Sequence, residues 1–563
     1  MWWKLISAGL GGCGIRWFPF EVPPLVRHLL GKMNLHGSSF IGDRLAPGAG
    51  EAFHAVNPQN NTQLPPAFHT ATAEEIDRAM KLADEAFMTY RQMSGERRAV
   101  FLERIADEIM AMGDTLIARA KAETGLPEGR LTGERGRTIN QLKMFAQIAR
   151  EGSWVDARID TALPDRQPVG KPDLRRMLVP MGVVIVFGAS NFPFAYSVAG
   201  GDTASALATG NTVVVKAHER HPGTSEMVAA AILKAAVACQ MPPGVFSMVH
   251  GNGPPTGLAL VRHPLASAVG FTGSRTAGRA LFDAAAARAE PIPVFAEMSS
   301  LNPIFILPGA MRENGVAIAA GLRDSVTLGA GQFCTKPGLV FGLDGASFDT
   351  FKETIVPLLE SVAPTTMLHT GIRDAYGRGL SRVSRIAGVH SLAQSSKSAD
   401  PGQTQGEPVL VCAGAADFQR YPELATEVFG PFSLLIAAKT IAELEDIARG
   451  LEGQLTATVH GTEGDLRGAA ALIGILERKA GRLIINGFPT GVEVCPSMTH
   501  GGPYPATTDS RFTSVGTAAY LRFVRPVSFQ NFPAALLPDA LKNENPLGLA
   551  REVDGKTTRE QLI

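Results

Sequence analysis

The segment GAGQFCTKPGLVFG, residues 329–342, sets a cysteine, Cys334, behind a glycine-rich turn and directly ahead of an apolar run. A tight loop of that kind turns backbone amides inward, which suits both a nucleophilic thiolate and a site for a developing oxyanion. A single cysteine is more often buried filler than a nucleophile, so the odds depend on what accompanies it. In IPVFAEMSSLNPIFIL, Glu297 closes an apolar strand, a poor place for a charge unless the carboxylate faces a cleft. Apolar surroundings should raise its pKa, as a general base working near neutrality requires. A solvent-exposed strand end would explain one glutamate equally well.

Two further segments offer binding chemistry. In FTGSRTAGRALFDAAA an apolar run leads into Gly273 and Ser274, then Gly278 and an alanine-rich helix. The free amides at such a helix start can receive a pyrophosphate, although the spacing is not GxGxxG and an ordinary capped helix fits as well. In VVIVFGASNFPFAYS, Asn191 follows a buried strand and can aim its amide at an oxyanion. In TGNTVVVKAHERHPGTSE, Lys216 ends the next strand within reach of a cofactor ribose or phosphate. His218 and His221 have no third ligand nearby in the sequence, so no metal site is expected.

These residues need a scaffold. Residues 72–150 repeat apolar positions at three- and four-residue steps (Ile76, Met80, Ala83, Phe87; Phe101, Ile105, Ile109), which predicts helices. From residue 183 short apolar runs (VVIVFG, TVVVK, VFSMV, AVGF) alternate with alanine-rich stretches, and IFIL, GLVFG, TATV and RLIIN repeat that texture after residue 302. Parallel sheets with crossover helices, in two α/β domains, are expected. Residues 154–176 and the strand-like 518–529 stand apart as candidate arms between subunits, or as ordinary surface hairpins. At 563 residues the chain is too long for one core.

With 53 basic and 53 acidic side chains, nothing advertises nucleic acid or an anionic membrane. No apolar run is long enough to span a bilayer. Five scattered cysteines without a CxxC pair point to a reducing cytoplasm. Residues 1–32 hold three of the four tryptophans and one acid, Glu21, and read as an extension ahead of a start at Met33. An export signal ending at Cys13 has too short an apolar core and a single basic residue, Lys4.

Taken together, the motifs resemble the aldehyde dehydrogenase superfamily from about Met33 to residue 530. The resemblance implies two doubly wound α/β domains with a β oligomerisation arm. It implies a coenzyme-binding domain at 33–153 and 177–302, a catalytic domain at 303–510, an arm at 154–176 and 511–535, and a C-terminal tail at 536–563. Cys334, Glu297, Asn191 and Lys216 fall where the family places its nucleophile, base, oxyanion donor and cofactor lysine. Within EVFGPF, Glu427 matches the residue that holds the nicotinamide ribose and Phe429 one that packs beside the cofactor. Lys216, Glu219, Gly273, Ser274, Gly278 and Met298 complete the expected NAD or NADP site. EMSSLN, where commoner branches carry ELGGK, is similar to the 2-oxoglutarate semialdehyde (2,5-dioxovalerate) dehydrogenases and related fatty aldehyde dehydrogenases. Oxidation of that semialdehyde in a cytoplasmic homodimer or homotetramer is the expectation; a fatty or broad-specificity aldehyde dehydrogenase, a CoA-acylating one, or a non-catalytic binding protein are the alternatives. NAD is favoured, because Glu219 would repel a 2′-phosphate and Pro254 stands where NADP-using relatives offer an arginine.

Overall fold

VVIVF and TVVVK form the strands Val183–Phe187 and Thr212–Lys216, in which every residue is buried. A strand covered on both faces belongs in the middle of a sheet. Alternate side chains leave on opposite faces: Val184, Val186, Val213 and Val215 enter one core, and Val183, Ile185, Phe187 and Val214 the other. The computed structural model describes residues 34–46 and 48–562. The proposed extension at 1–32, Cys13 and the start at Met33 lie outside the described residues.

The first sheet runs Val294–Glu297, Ala266–Thr272, Val183–Phe187, Thr212–Lys216 and Phe246–Val249, all parallel, then adds the short antiparallel strands Phe40–Ile41 and Arg44–Leu45. Chain order reverses between Val183–Phe187 and Ala266–Thr272. At such a switch point the crevice beyond the carboxyl ends of the strands receives ligands. Asn191, Lys216, Gly273 and Glu297 all stand at or just past these ends.

The expected helical lead-in consists of Ala73–Tyr90, Gly95–Ala111, Gly113–Thr124 and Glu128–Glu151. The first is fixed by a capping box in which Thr72 and Glu75 each accept from the other's backbone N–H. Pro222–Ala238 is buried nearly all round, as its alanine content allows.

A second sheet orders His390–Gln394, Val409–Gly414, Phe432–Ala438, Leu339–Leu343, Ile304–Ile306, Gln454–His460 and Ala480–Ile485, parallel except for the first strand. It too separates two cores, with Phe305 and Phe341 on one face and Ile304, Ile306 and Val340 on the other.

A third sheet pairs Val524–Gln530, Leu174–Pro180, Arg158–Asp160, Arg551–Val553 and Lys556–Thr558. The structure departs from the sequence reading here in two ways. Thr517–Phe523 is a 3-10 helix, so the strand begins only at Val524. Arg522, buried there, reaches Asp202 at 2.7 Å, and Phe523 enters the core of the first domain, contacts that a continued strand would forgo. The last residues are also part of the sheet: Arg551 is fully buried and donates to the carbonyls of Lys542 and Asn543.

Candidate active site

Ahead of Cys334, three consecutive residues, Gly329, Ala330 and Gly331, hold positive φ of 57°, 56° and 64°. That is natural for glycine and costs Ala330 about 1 kcal/mol. A Cβ at Gly331 would come 2.3 Å from the carbonyl group of Gly430, so only glycine lets this turn lie against the EVFGPF loop. Gln332 secures the turn by donating to Gly329 O (3.1 Å) and accepting from Leu368 N (3.0 Å).

Asn191 donates through Nδ2 to Gln332 O at 3.1 Å, which fixes its amide beside the cysteine loop. Asn302 holds the loop from beneath: its Nδ2 donates to the carbonyls of Cys334 (2.8 Å) and Lys336 (3.0 Å). Its Oδ1 accepts from Ser300 (3.0 Å) and Thr456 (2.9 Å), and Gln454 Oε1 ties in the backbone N–H groups of Leu301 and Asn302. This buried network explains SSLN in physical terms, a role for Asn302 that sequence reasoning missed although the residue lay inside a recognised motif.

Glu297 ends the strand Val294–Glu297, is 3% exposed, and accepts from Ser514 Oγ at 2.6 Å. His500, also missed, completes the arrangement. Its Nε2 hydrogen-bonds with Cys334 Sγ at 3.4 Å and lies 2.9 Å from Glu297 Oε1, which has no aligned donor. Thiol, imidazole and carboxylate thus stand within 4.8 Å of one another. His500 is held by its own N–H donating to Thr513 Oγ1 and its carbonyl accepting from Ser514 N. No spacing to Cys334, 166 residues earlier, announces it.

The electrostatics correct one expectation. Burial does act to raise the Glu297 carboxyl, but the charge and hydrogen bond of His500, with donors from Ser514 and Cys334, outweigh it and leave the group below its usual value. The Cys334 thiol moves the other way, well above the usual range, through burial and the adjacent Glu297 charge, with Arg137 pulling weakly against them. Carboxylate and thiol is therefore the resting state.

The remaining predicted residues are placed as follows. Lys216 Nζ pairs with Glu219 Oε2 at 2.6 Å. Burial pushes Glu219 up, but the His218 imidazole and the Lys216 ammonium bring it down to about 2. Ser274 caps the helix Arg275–Ala286 by accepting from Ala277 N, and the turn from Gly273 to Ala277 is exposed. Gly278 is buried, and a Cβ there would meet Met298 Sδ at 2.7 Å, so these two pack on each other. Glu427 is raised by burial and accepts from Ser299, while Lys336 donates to Val428 O (3.2 Å) and Phe432 O (2.9 Å) on either side of Phe429. His221 is satisfied by Ser225 and the carbonyl of Ala189.

Two α/β sheets, the first reversing its chain order as dinucleotide-binding sheets do, bring a thiol, an imidazole and a carboxylate together in one cluster. Residues 46–371 match the aldehyde dehydrogenase family, and the chain belongs to it. It is an oxidoreductase of that family, acting on an aldehyde with a nicotinamide dinucleotide. Its sequence is 49% identical over 525 residues to alpha-ketoglutaric semialdehyde dehydrogenase 2 of Azospirillum brasilense, covering 93% of this chain and 100% of that one. It is 44% identical over 532 residues to alpha-ketoglutaric semialdehyde dehydrogenase of Acinetobacter baylyi, covering 93% and 99%. The fold superposes on lactaldehyde dehydrogenase from Escherichia coli with a TM-score of 0.75 at 21% identity, covering 88% of this chain and 98% of that one.

Proposed function

We propose that this chain oxidises 2-oxoglutarate semialdehyde (2,5-dioxopentanoate) to 2-oxoglutarate with NAD(P)+. The observation that carries the reading is the likeness, along nearly the full length of both chains, to two relatives that bear that activity in their names.

Cys334 is the nucleophile in this reading. Its proton leaves to the adjoining His500–Glu297 pair as sulfur attacks the aldehyde carbon. The oxyanion is received by the Asn191 side-chain amide and the Cys334 N–H, donors of which each is worth roughly 10²–10³ in rate. A bound nicotinamide would supply the hydride acceptor for that carbon. Once the first proton has passed to solvent, Glu297 takes a proton from the water that attacks the thioester, and that proton returns to the Cys334 sulfur as the C–S bond breaks and the acid is released.

The dinucleotide suits the groups present. An exposed helix start at Gly273–Ser274 stands at the switch point, where the positive end of the helix dipole suits a pyrophosphate. Lys216 and Glu219 lie at the neighbouring strand end for the adenosine ribose, with Glu427 and Phe429 at the nicotinamide end and Gly278 and Met298 setting the floor between them. Ionised Glu219 favours NAD over NADP.

Assembly as a homodimer or homotetramer is supported by the outer edge of Val524–Gln530, which pairs with no strand among the described residues. Leu483 and Ile485 are likewise exposed on the edge strand Ala480–Ile485. No helix among the described residues is long and apolar enough to cross a membrane, and the four described cysteines are free, which accords with a cytoplasmic enzyme.

Steady-state kinetics on 2,5-dioxopentanoate and dodecanal tests the substrate. Higher kcat/KM on the dioxo acid, with 2-oxoglutarate as product, is expected; faster turnover of dodecanal overturns the reading.

A further inference from the structure

Three guanidinium groups lie near Cys334, and they differ in what neutralises them. Arg130 is occupied: it forms an ion pair with Glu134 at 3.6 Å, donates to Asn191 O at 2.9 Å, and is sandwiched between Phe192 and Phe333 at 4.6 and 4.7 Å from the ring centroids. Arg137 and Arg482 have no carboxylate within ion-pair distance among the described residues.

Arg137, two turns further along the same helix, donates to Val492 O at 2.8 Å and to Tyr196 Oη at 3.4 Å, with its guanidinium over the Tyr196 ring. Arg482, on the edge strand Ala480–Ile485, donates to Pro489 O at 2.6 Å and Gly491 O at 3.1 Å. Both cations are therefore seated on one short loop, 489–492. Each retains a buried Nε with no hydrogen-bond partner. The loop stands beside the nucleophile: the Tyr196 ring lies 6.4 Å from that of His500, which bonds Cys334. Both arginines stand close enough to Cys334 to favour its thiolate form, Arg137 by lowering the thiol's pKa and Arg482 by being held up against its own burial.

Two like charges gathered in a partly buried site, with no carboxylate in direct contact with either and only Glu134 acting on Arg137 from further off, repel each other and are costly to desolvate. An arrangement of this kind is relieved by an incoming anion, and a planar guanidinium is the group best shaped to receive a carboxylate. In a five-carbon ω-oxo acid the carboxylate lies only about four C–C bonds from the aldehyde carbon that meets Cys334, so the group that binds it must stand close to the nucleophile.

We propose that Arg137 and Arg482, mounted on the 489–492 loop, form the subsite for the carboxylate of a short ω-oxo acid substrate and thereby set specificity. The inference rests on the substrate reading above and adds the residues that would enforce it. Chain-length preference follows, because an uncharged long aldehyde would leave both cations unpaired and would have to pass between them.

The test compares kcat/KM for 2,5-dioxopentanoate with that for pentanal, the uncharged five-carbon aldehyde, in the full-length enzyme and in Arg137→Gln and Arg482→Gln. The wild type should favour the dioxo acid. Each glutamine variant should lower the ratio by about thirtyfold, mostly through KM, and Arg482→Lys should recover part of it. A wild-type enzyme that does not distinguish the two aldehydes sinks the substrate reading itself. A wild type that does, with a ratio that stays within about twofold in both glutamine variants, overturns the subsite alone. Equal falls on both aldehydes leave the ratio unmoved and count as that same outcome, marking the arginines as supports of the loop.

Discussion

His500 Nε2 stands 2.9 Å from Glu297 Oε1, and the same nitrogen bonds Cys334 Sγ at 3.4 Å, so one imidazole touches both the proposed nucleophile and the proposed base. His500→Ala should therefore lower kcat by about 10²–10⁴, the usual worth of a positioned acid–base group. Dinucleotide binding should persist, because no predicted cofactor residue touches His500. Stopped-flow kinetics with a titration of coenzyme fluorescence checks both; a kcat within about threefold of wild type would remove His500 from the proton path.

The resting thiol gives a pH dependence whose sign is fixed. A raised Cys334 pKa means that the sulfur keeps its proton through neutrality and that the thiolate fraction grows about tenfold per pH unit below that pKa. Alkylation by iodoacetamide in the free enzyme should climb steadily between about pH 7 and 9. A plateau below about pH 8 would contradict the raised value.

Glu297→Gln separates two roles. Removing a charge that holds the thiol up should quicken alkylation at a fixed pH. Removing the base should slow thioester hydrolysis, so that a burst of reduced coenzyme precedes a steady rate at least about a hundredfold lower. An unchanged steady rate would take Glu297 out of the base role.

Asn302→Ala should be costly although the residue is the last of a sequence motif and not a reacting group. It leaves the carbonyls of Cys334 and Lys336 without their side-chain donor and the Thr456 hydroxyl without its acceptor, at roughly 1–3 kcal/mol for each buried group left unpaired. A fall in Tm with a lower kcat is expected. Equal stability would mean that the loop holds itself.

What the sequence made legible follows from the range of the forces involved. VVIVF and TVVVK announce buried parallel strands because their composition is itself the consequence of burial on both faces. Cys334 and Glu297 could be picked out because a turn or a strand end surrounds them locally. His500 could not, since its partners are 166 and 203 residues distant and its own neighbours, MTHGG, are unremarkable loop residues. The same limit hid the sign of the Glu297 shift: burial was readable from the apolar strand, whereas the donors that reverse it arrive from residues 500 and 514. The end of the chain read as a tail because Arg551, polar by type, gives no hint that it is buried under five-stranded pairing.

In the proposed reading, coenzyme choice turns on Glu219. Its carboxylate, brought to about 2, is ionised at every working pH, and it already cancels much of the Lys216 charge that would attract a 2′-phosphate. The helix Pro254–Arg262 begins with two prolines, so the loop before it supplies no cation at that end. A carboxylate can accept from the 2′- and 3′-hydroxyls of NAD but repels the phosphate of NADP. Glu219→Ser removes the repulsion and frees the Lys216 ammonium in one step. The NADP-to-NAD ratio of kcat/KM should rise by at least about tenfold, through both a weaker NAD KM and a stronger NADP one. A wild-type enzyme that already favours NADP, or a variant whose ratio does not move, would mean that the Glu219 carboxylate stays on Lys216 and never meets the ribose.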